Sequence, residues 1–294
     1  MQMKQLGLKQ LETMKIKALL QHASDILNDA GVQSPEVDAE LLFCHMQGIS
    51  RGELGTAKIM GHDIDAATEC QYLELVRRRT TEPLQHITGV APFRYRELRV
   101  GPGVFIPRPE TEMLIDIASQ QIFSGAKVVD LCAGSGAIAA AVASENPRTD
   151  VYAVEISDEA IAYLQQNVQN LNVEVVHGDF KSELAQLHNV VDVVISNPPY
   201  VASTTGMSDE VLYHDPSLAL YGGGEAGLNI PLQVIDRAHF LLKSGGFFVM
   251  EHDETQHRAL KEYMQQQGWE NIMLHHDLTG RQRATSAFKS SLVP

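Results

Sequence analysis

Along residues 19–76 apolar side chains recur at three- and four-residue spacing, while beyond residue 126 they gather in short runs separated by turn residues. The first rhythm predicts helices. Leu19, Leu20, Ala23, Ile26, Leu27 and Ala30 lead into Gly31, a natural helix stop. Ser34 and Pro35 then offer a cap and a first helical residue, Glu36 and Asp38 suit the positive end of the dipole, and Val37, Leu41 and Leu42 supply a buried stripe. Ile64, Ala67, Leu73 and Val76 predict a further helix ending in Arg77, Arg78 and Arg79. Residues 1–82 therefore read as a small helical bundle, suited to docking a substrate.

From Pro83 to Pro109 the chain breaks into short extended pieces punctuated by Gly89, Pro92, Gly101, Pro102 and Gly103, so residues 83–104 read as a β-hairpin linker. Over 105–294, strand-like runs at Lys127–Leu131, Val151–Glu155, Val173–His177, Val191–Ser196 and Gly246–Glu251 alternate with helical stretches near 137–145, 158–170, 230–242 and 255–267. That alternation predicts a doubly wound α/β sheet. Two last strands, 271–275 and 283–288, follow each other without a helix, which predicts an antiparallel edge.

Composition narrows the classes. A chain of 294 residues, 44% apolar, can bury a sizeable core, and its sequence contains no apolar run long enough to span a membrane and no secretory signal, so a cytoplasmic location is expected. Three cysteines and twelve histidines show no disulfide or metal-ligand spacing, so no metal site is expected. The net charge of −14 opposes direct binding to nucleic acid. Within 77–99, Arg77, Arg78, Arg79, Arg94, Arg96 and Arg99 reverse that sign against Glu82 and Glu97, and this stretch is the candidate surface for an acidic or RNA-associated partner.

Two segments carry the chemistry. Val128 to Gly136 is a buried strand, a glycine-rich turn and the start of an alanine-rich helix, with Glu155 at the end of the next strand. Gly134, Gly136 and Ala139 also fit a dinucleotide fingerprint, so this turn alone leaves a nicotinamide enzyme open. Asp130, before the glycines, favours a cationic amino-acid end over a pyrophosphate. Glu155 can accept from ribose hydroxyls, Asp179 can meet an adenine edge, and Phe180 offers a stacking face, a set that favours S-adenosylmethionine. The second segment, Asn197-Pro198-Pro199-Tyr200, follows an apolar strand at the carboxyl edge of the sheet. The Asn197 and Pro198 carbonyls can converge on an N–H2 group while Tyr200 stacks on its plane. A glutamine side chain and an adenine amine both present such a group.

The chain resembles the HemK/PrmC family of release-factor glutamine methyltransferases over almost its whole length. The resemblance is carried by residues 38–42 (Asp-Ala-Glu-Leu-Leu), 82–89 (Glu-Pro-Leu-Gln-His-Ile-Thr-Gly), 105–112 (Phe-Ile-Pro-Arg-Pro-Glu-Thr-Glu), 197–200, 215–220 (Asp-Pro-Ser-Leu-Ala-Leu) and 277–281 (Asp-Leu-Thr-Gly-Arg). It implies a class I, Rossmann-like, seven-stranded methyltransferase domain, S-adenosylmethionine as methyl donor, and the glutamine of the Gly-Gly-Gln motif of class I peptide chain release factors as substrate. It also implies a cofactor loop at Cys132, Ala133, Gly134, Ser135 and Gly136, with Glu155, Asp179, Phe180 and Asn197 completing the cofactor site. Asn197, Pro198 and Tyr200 become the catalytic group, and Pro199 joins them in holding the substrate. Cys132-Ala133 stands where Gly-Thr is common, Glu155 where Asp is common, and Glu251-His252-Asp253-Glu254 lacks a usual glycine. A glutamine in a ribosomal protein, or an adenine amine in nucleic acid, is the alternative substrate.

Overall fold

The structure is a computed structural model that describes residues 14–202 and 209–291. It divides into two compact units, one ending at Thr88 and the other beginning at Gly89. No helix among the described residues is long and apolar enough to cross a membrane.

The first unit holds β1 (Met14–Lys15), α1 (Ile16–Asp29), α2 (Pro35–Gln47), α3 (Arg51–Met60), β2 (Asp63–Ile64), α4 (Ala66–Arg79) and α5 (Leu84–Thr88). Leu19, Leu27, Leu42, Leu54, Tyr72 and Val76 fill its core. Four expectations change here. Ser34 occupies the cap position of α2 without a side-chain hydrogen bond, and Val37 is exposed, because α2 turns Ala39, Leu42 and Phe43 inward instead. Helix α3 had no expected counterpart, although Ser50 and Glu53 form a reciprocal capping box that marks its start. The bundle does not end at residue 82: Leu84 and Ile87 of α5 are buried in its core, which moves the boundary to Thr88.

The expected basic surface at 77–99 is largely neutralised. Arg79 is buried and paired with the buried Asp38 at 2.7 Å, Arg77 pairs with Glu74, and Arg78 with Glu82. In the second unit Arg94 reaches both Asp116 and Glu145.

The second unit opens with β3 (Val90–Phe93) and β4 (Arg96–Arg99), an antiparallel hairpin. It is not a free linker, since Phe93 and Leu98 are buried with Leu114, Ile115 and the sheet. There follow α6 (Glu112–Ser119), β5 (Lys127–Leu131), α7 (Ala137–Glu145), β6 (Asp150–Glu155), α8 (Asp158–Asn167), β7 (Val173–His177), β8 (Val191–Ser196), α9 (Asp209–His214), α10 (Ser217–Leu220), α11 (Asn229–Leu241), β9 (Leu242–Glu251), α12 (His257–Gln266), β10 (Trp269–His276) and β11 (Gln282–Lys289). Seven strands form one sheet in the order β10-β11-β9-β8-β5-β6-β7. Strands β5 to β9 pair in parallel, and β11 is antiparallel to both its neighbours.

Side-chain alternation puts the two faces of β5 into different cores. Val128 packs with α6 and α7, whereas Val129 and Leu131 pack with α11 and α12. Residues 137–143 of α7 are buried throughout, and their small side chains let this helix lie close to the sheet. Because β5 lies between β6 and β8, the chain order reverses at its carboxyl end, the place where open α/β sheets bind ligands.

Candidate active site

A cavity of about 600 Å³ opens at the carboxyl ends of β5, β6 and β8. Cys132, Ala133, Gly134, Ser135, Glu155, Asp179 and Phe180 line it together with Asn197, Pro198, Pro199 and Tyr200. Both segments singled out in the sequence therefore reach one space. Phe105, Pro107, Thr111 and residues 216–221 complete its wall.

The turn after β5 is tight for physical reasons. Cys132, Gly134 and Gly136 take φ values of +62°, +55° and +81°, a region that L side chains enter at a cost and glycine enters freely. Gly136 does not line the cavity; a Cβ there would sit 2.3 Å from Leu164 Cδ1 of α8, so glycine lets α7 start beneath the turn. Glu155 fastens the turn to β6. Its Oε2 accepts from Gly134 N at 2.7 Å, and its Oε1 accepts from the amides of Ile156 and Ser157. Burial, with the carboxylates of Glu155, Asp130 and Asp179 adding to it, pushes the Cys132 thiol well up, so Cys132 is a neutral wall.

Asp130 departs from its expected place. It is buried below the turn rather than on the cavity wall, and its Oδ2 accepts from Ala139 N at 3.1 Å, where it answers the amino end of α7. Burial pushes its carboxyl well above the usual range, and Glu155 adds to that effect. Asp179 does face the cavity. Burial raises its carboxyl, but the Lys181 backbone amide and the Lys181 ammonium at 2.9 Å outweigh this and hold it low.

At the end of β8, Asn197 Nδ2 donates to Thr111 Oγ1 at 3.1 Å. Thr111 in turn donates to Glu251 Oε2 at 2.7 Å, and Tyr200 Oη donates to Glu251 Oε1 at 2.9 Å. Burial, reinforced by Glu251, pushes the Tyr200 phenol well up, which keeps it a proton donor. Gln256 Nε2 donates to both Tyr200 O and Ala226 O at 2.8 Å. A Cβ at Gly227 would fall 2.2 Å from Tyr200 O, so the glycine-rich loop presses directly on the Asn-Pro-Pro-Tyr backbone.

Thr111, Glu251 and Gln256 had no assigned part at the level of sequence. Thr111 lies within the 105–112 motif, and Glu251 opens the segment whose missing glycine stood out. The Asp-Leu-Thr-Gly-Arg motif proves to be the turn between β10 and β11, where Asp277 Oδ1 accepts from the amides of Thr279 and Arg281. Arg108 reaches the buried Asp215 at 2.6 Å, joining the motif at 105–112 to the one at 215–220.

Comparisons with known proteins bear on the family of the chain. Residues 18–89 match the PrmC N-terminal domain family, and residues 101–228 match the Methyltransferase small domain family. Among solved structures, a methyltransferase from Pyrococcus furiosus superposes with a TM-score of 0.51 at 18% identity, covering 66% of this chain and 89% of its own, a likeness of fold. The release factor glutamine methyltransferase of Streptomyces coelicolor is 43% identical over 276 residues, covering 91% of this chain and 96% of that protein. The protein of the same name from Bifidobacterium longum is 41% identical over 288 residues, covering 92% of this chain and 98% of its own. Similarity of that depth, continuous through the helical unit, the glycine turn and the Asn-Pro-Pro-Tyr edge, makes this chain a member of the release factor glutamine methyltransferase family.

Proposed function

We propose that this enzyme methylates the side-chain amide nitrogen of the glutamine in the Gly-Gly-Gln motif of class I release factors, in the cytoplasm. The observation that carries the reading is the meeting of the glycine turn and Asn197–Tyr200 in one cavity. The residues present fit S-adenosylmethionine. The cavity has the size of a small-molecule site, the buried Glu155 gives the turn a fixed anionic face, and Phe180 supplies an apolar wall beside Asp179. Cys132 to Ser135, Glu155, Asp179 and Phe180 would hold the cofactor, with Gly136 letting the turn close.

When bound, S-adenosylmethionine supplies a methyl group on sulfonium: the amide nitrogen forms a new N–C bond, the S–C bond breaks with its electrons kept by sulfur, and one amide proton leaves to water. An amide nitrogen is a weak nucleophile because its lone pair is shared with the carbonyl. The protein's contribution is therefore alignment and charge. The carbonyls of Asn197 and Pro198 accept from the substrate N–H2 and stabilise the positive charge that develops on nitrogen, while Tyr200 covers the amide plane. Asp130 contributes by holding α7 beneath the turn, without contact to the ligand.

The helical unit serves to dock the protein substrate. Direct nucleic-acid binding is not part of this reading, because Arg77, Arg78, Arg79 and Arg94 are paired with carboxylates. The test is labelled cofactor offered with a release factor, its Gln→Ala loop variant, a ribosomal protein and adenine-containing oligonucleotides, followed by mass mapping. Label confined to the one glutamine is expected. Label in adenine, in the ribosomal protein alone, or in the Gln→Ala factor overturns the reading.

A further inference from the structure

We infer that Glu251 is a positioning residue that acts through Thr111 to fix which end of the Asn197 amide faces the substrate. The inference rests on the substrate grip proposed above, and it explains an oddity of the site. Glu251 is 3% exposed and is not among the residues that line the cavity, yet it presents a carboxylate to Tyr200 of the grip and to Thr111 beside it.

The hydroxyl protons around Glu251 fix the polarity of this chain of bonds. Tyr200 carries one hydroxyl proton, and it goes to Glu251 Oε1. Thr111 also carries one, and it goes to Glu251 Oε2. With its proton committed, Thr111 Oγ1 can only accept from Asn197, so the Asn197 Nδ2 group turns to it at 3.1 Å. The amide is thereby fixed with Oδ1 as the end left for a ligand. An acceptor is what an N–H2 substrate requires; the reversed amide would set donor against donor.

A buried carboxylate is an expensive way to fill this space. A neutral or apolar side chain of similar volume would avoid the desolvation, so stability alone does not explain the charge. Burial pushes the Glu251 carboxyl up, against the Thr111 and Tyr200 hydrogen bonds and the nearby Arg283 guanidinium, which favour its ionised form. Only the acceptor-only form gives both arms the same polarity. Glutamine has the same shape but one donor end and one acceptor end, so it must reverse one arm.

The test compares E251Q, T111V, T111S and the double variant E251Q/T111V in the full-length enzyme. In E251Q, turnover should fall about 10–100-fold, the scale of misdirecting one hydrogen bond at a reacting group. Affinity for S-adenosylmethionine should stay within about twofold, and Tm within about 4 °C. T111V should lose turnover to a similar extent, T111S should recover most of that loss, and the double variant should be no slower than the slower single one, because both changes break one chain of bonds.

A second readout needs no turnover. With 15N-asparagine label, the Asn197 side-chain N–H2 should exchange slowly with solvent in the wild type and roughly tenfold faster or more in T111V, and in E251Q to the extent that the Thr111 arm is the one reversed. Unchanged turnover in E251Q, multiplying losses in the double variant, or exchange indifferent to Thr111 and Glu251 would each overturn the relay. A wild type that methylates adenine instead would refute the glutamine reading and leave the relay to be scored on that amine.

Discussion

Glu155 Oε2 lies 2.7 Å from the backbone nitrogen of Gly134, so the carboxylate on the cavity wall is also the tie that holds the glycine turn against β6. Glu155→Ala should therefore do two things at once. Affinity for S-adenosylmethionine should fall by roughly 1–3 kcal/mol in titration calorimetry, and unfolding in urea should show a loss of stability of about 1–3 kcal/mol as three partly buried amides lose their acceptor. Unchanged affinity in a folded variant would remove Glu155 from the cofactor site.

Asn197→Ala removes the acceptor offered to the substrate while leaving the glycine turn alone. Turnover should drop by about 10²–10³ with little change in cofactor affinity, since the lost interaction belongs to the developing charge on nitrogen. Steady-state kinetics beside calorimetry decide the matter: a loss confined to cofactor binding would move Asn197 to the other half of the site.

Within the helical unit, Arg79→Met should destabilise the fold by about 3–5 kcal/mol, because it strands the buried carboxylate of Asp38. Arg77→Ala breaks only an exposed pair with Glu74 and should cost less than about 1 kcal/mol. Urea titrations of the two variants separate a structural from a surface arginine. Similar midpoints would contradict the assignment.

His252 predicts a pH dependence. It is fully buried; its Nδ1 lies 2.8 Å from Asp253 O, so that nitrogen carries the proton, and Nε2 accepts from Thr285. Burial holds its pKa down at about 4, against an ordinary 6.5. The unfolded chain binds the proton more readily, so this contribution to stability is complete above pH 6.5 and is lost as the pH falls toward 4, on the order of 3 kcal/mol in all. The stability difference between wild type and His252→Gln, followed by urea unfolding from pH 7 to 4, should change across that window. A flat difference would show that His252 does not titrate there.

Much of the catalytic unit was legible because its signals are local. Val128, Val129 and Leu131 announce a strand buried on both faces, and Gly134 and Gly136 mark the only easy residues for the φ values that follow. The pair Asn197 and Tyr200 was legible for the same reason, as a polar and aromatic end to an apolar run. What sets their direction was not. Thr111 and Glu251 meet across a separation of 140 residues, and no spacing rule reaches so far. Asp130 lies off the cavity lining because strand position fixes a residue's height in the sheet but not whether a helix start will take one of its carboxylate oxygens. In the helical unit, Ser50 and Glu53 carried a clear start signal for α3, whereas Arg79 looked like surface charge because its partner Asp38 lies on another helix.

The separation between Thr111 and Glu251 has a consequence for the order in which the protein is made. Gly134 and Glu155 are only 21 residues apart, and every residue of the cofactor wall precedes residue 181, so that half of the cavity closes through short loops. The amide grip waits for β9, whose Glu251 comes late in synthesis and must insert beside β8. The face of β5 below the cofactor turn packs on α11 and α12, and the amide grip takes its direction from β9, so both halves of the cavity are completed by the last third of the chain to leave the ribosome.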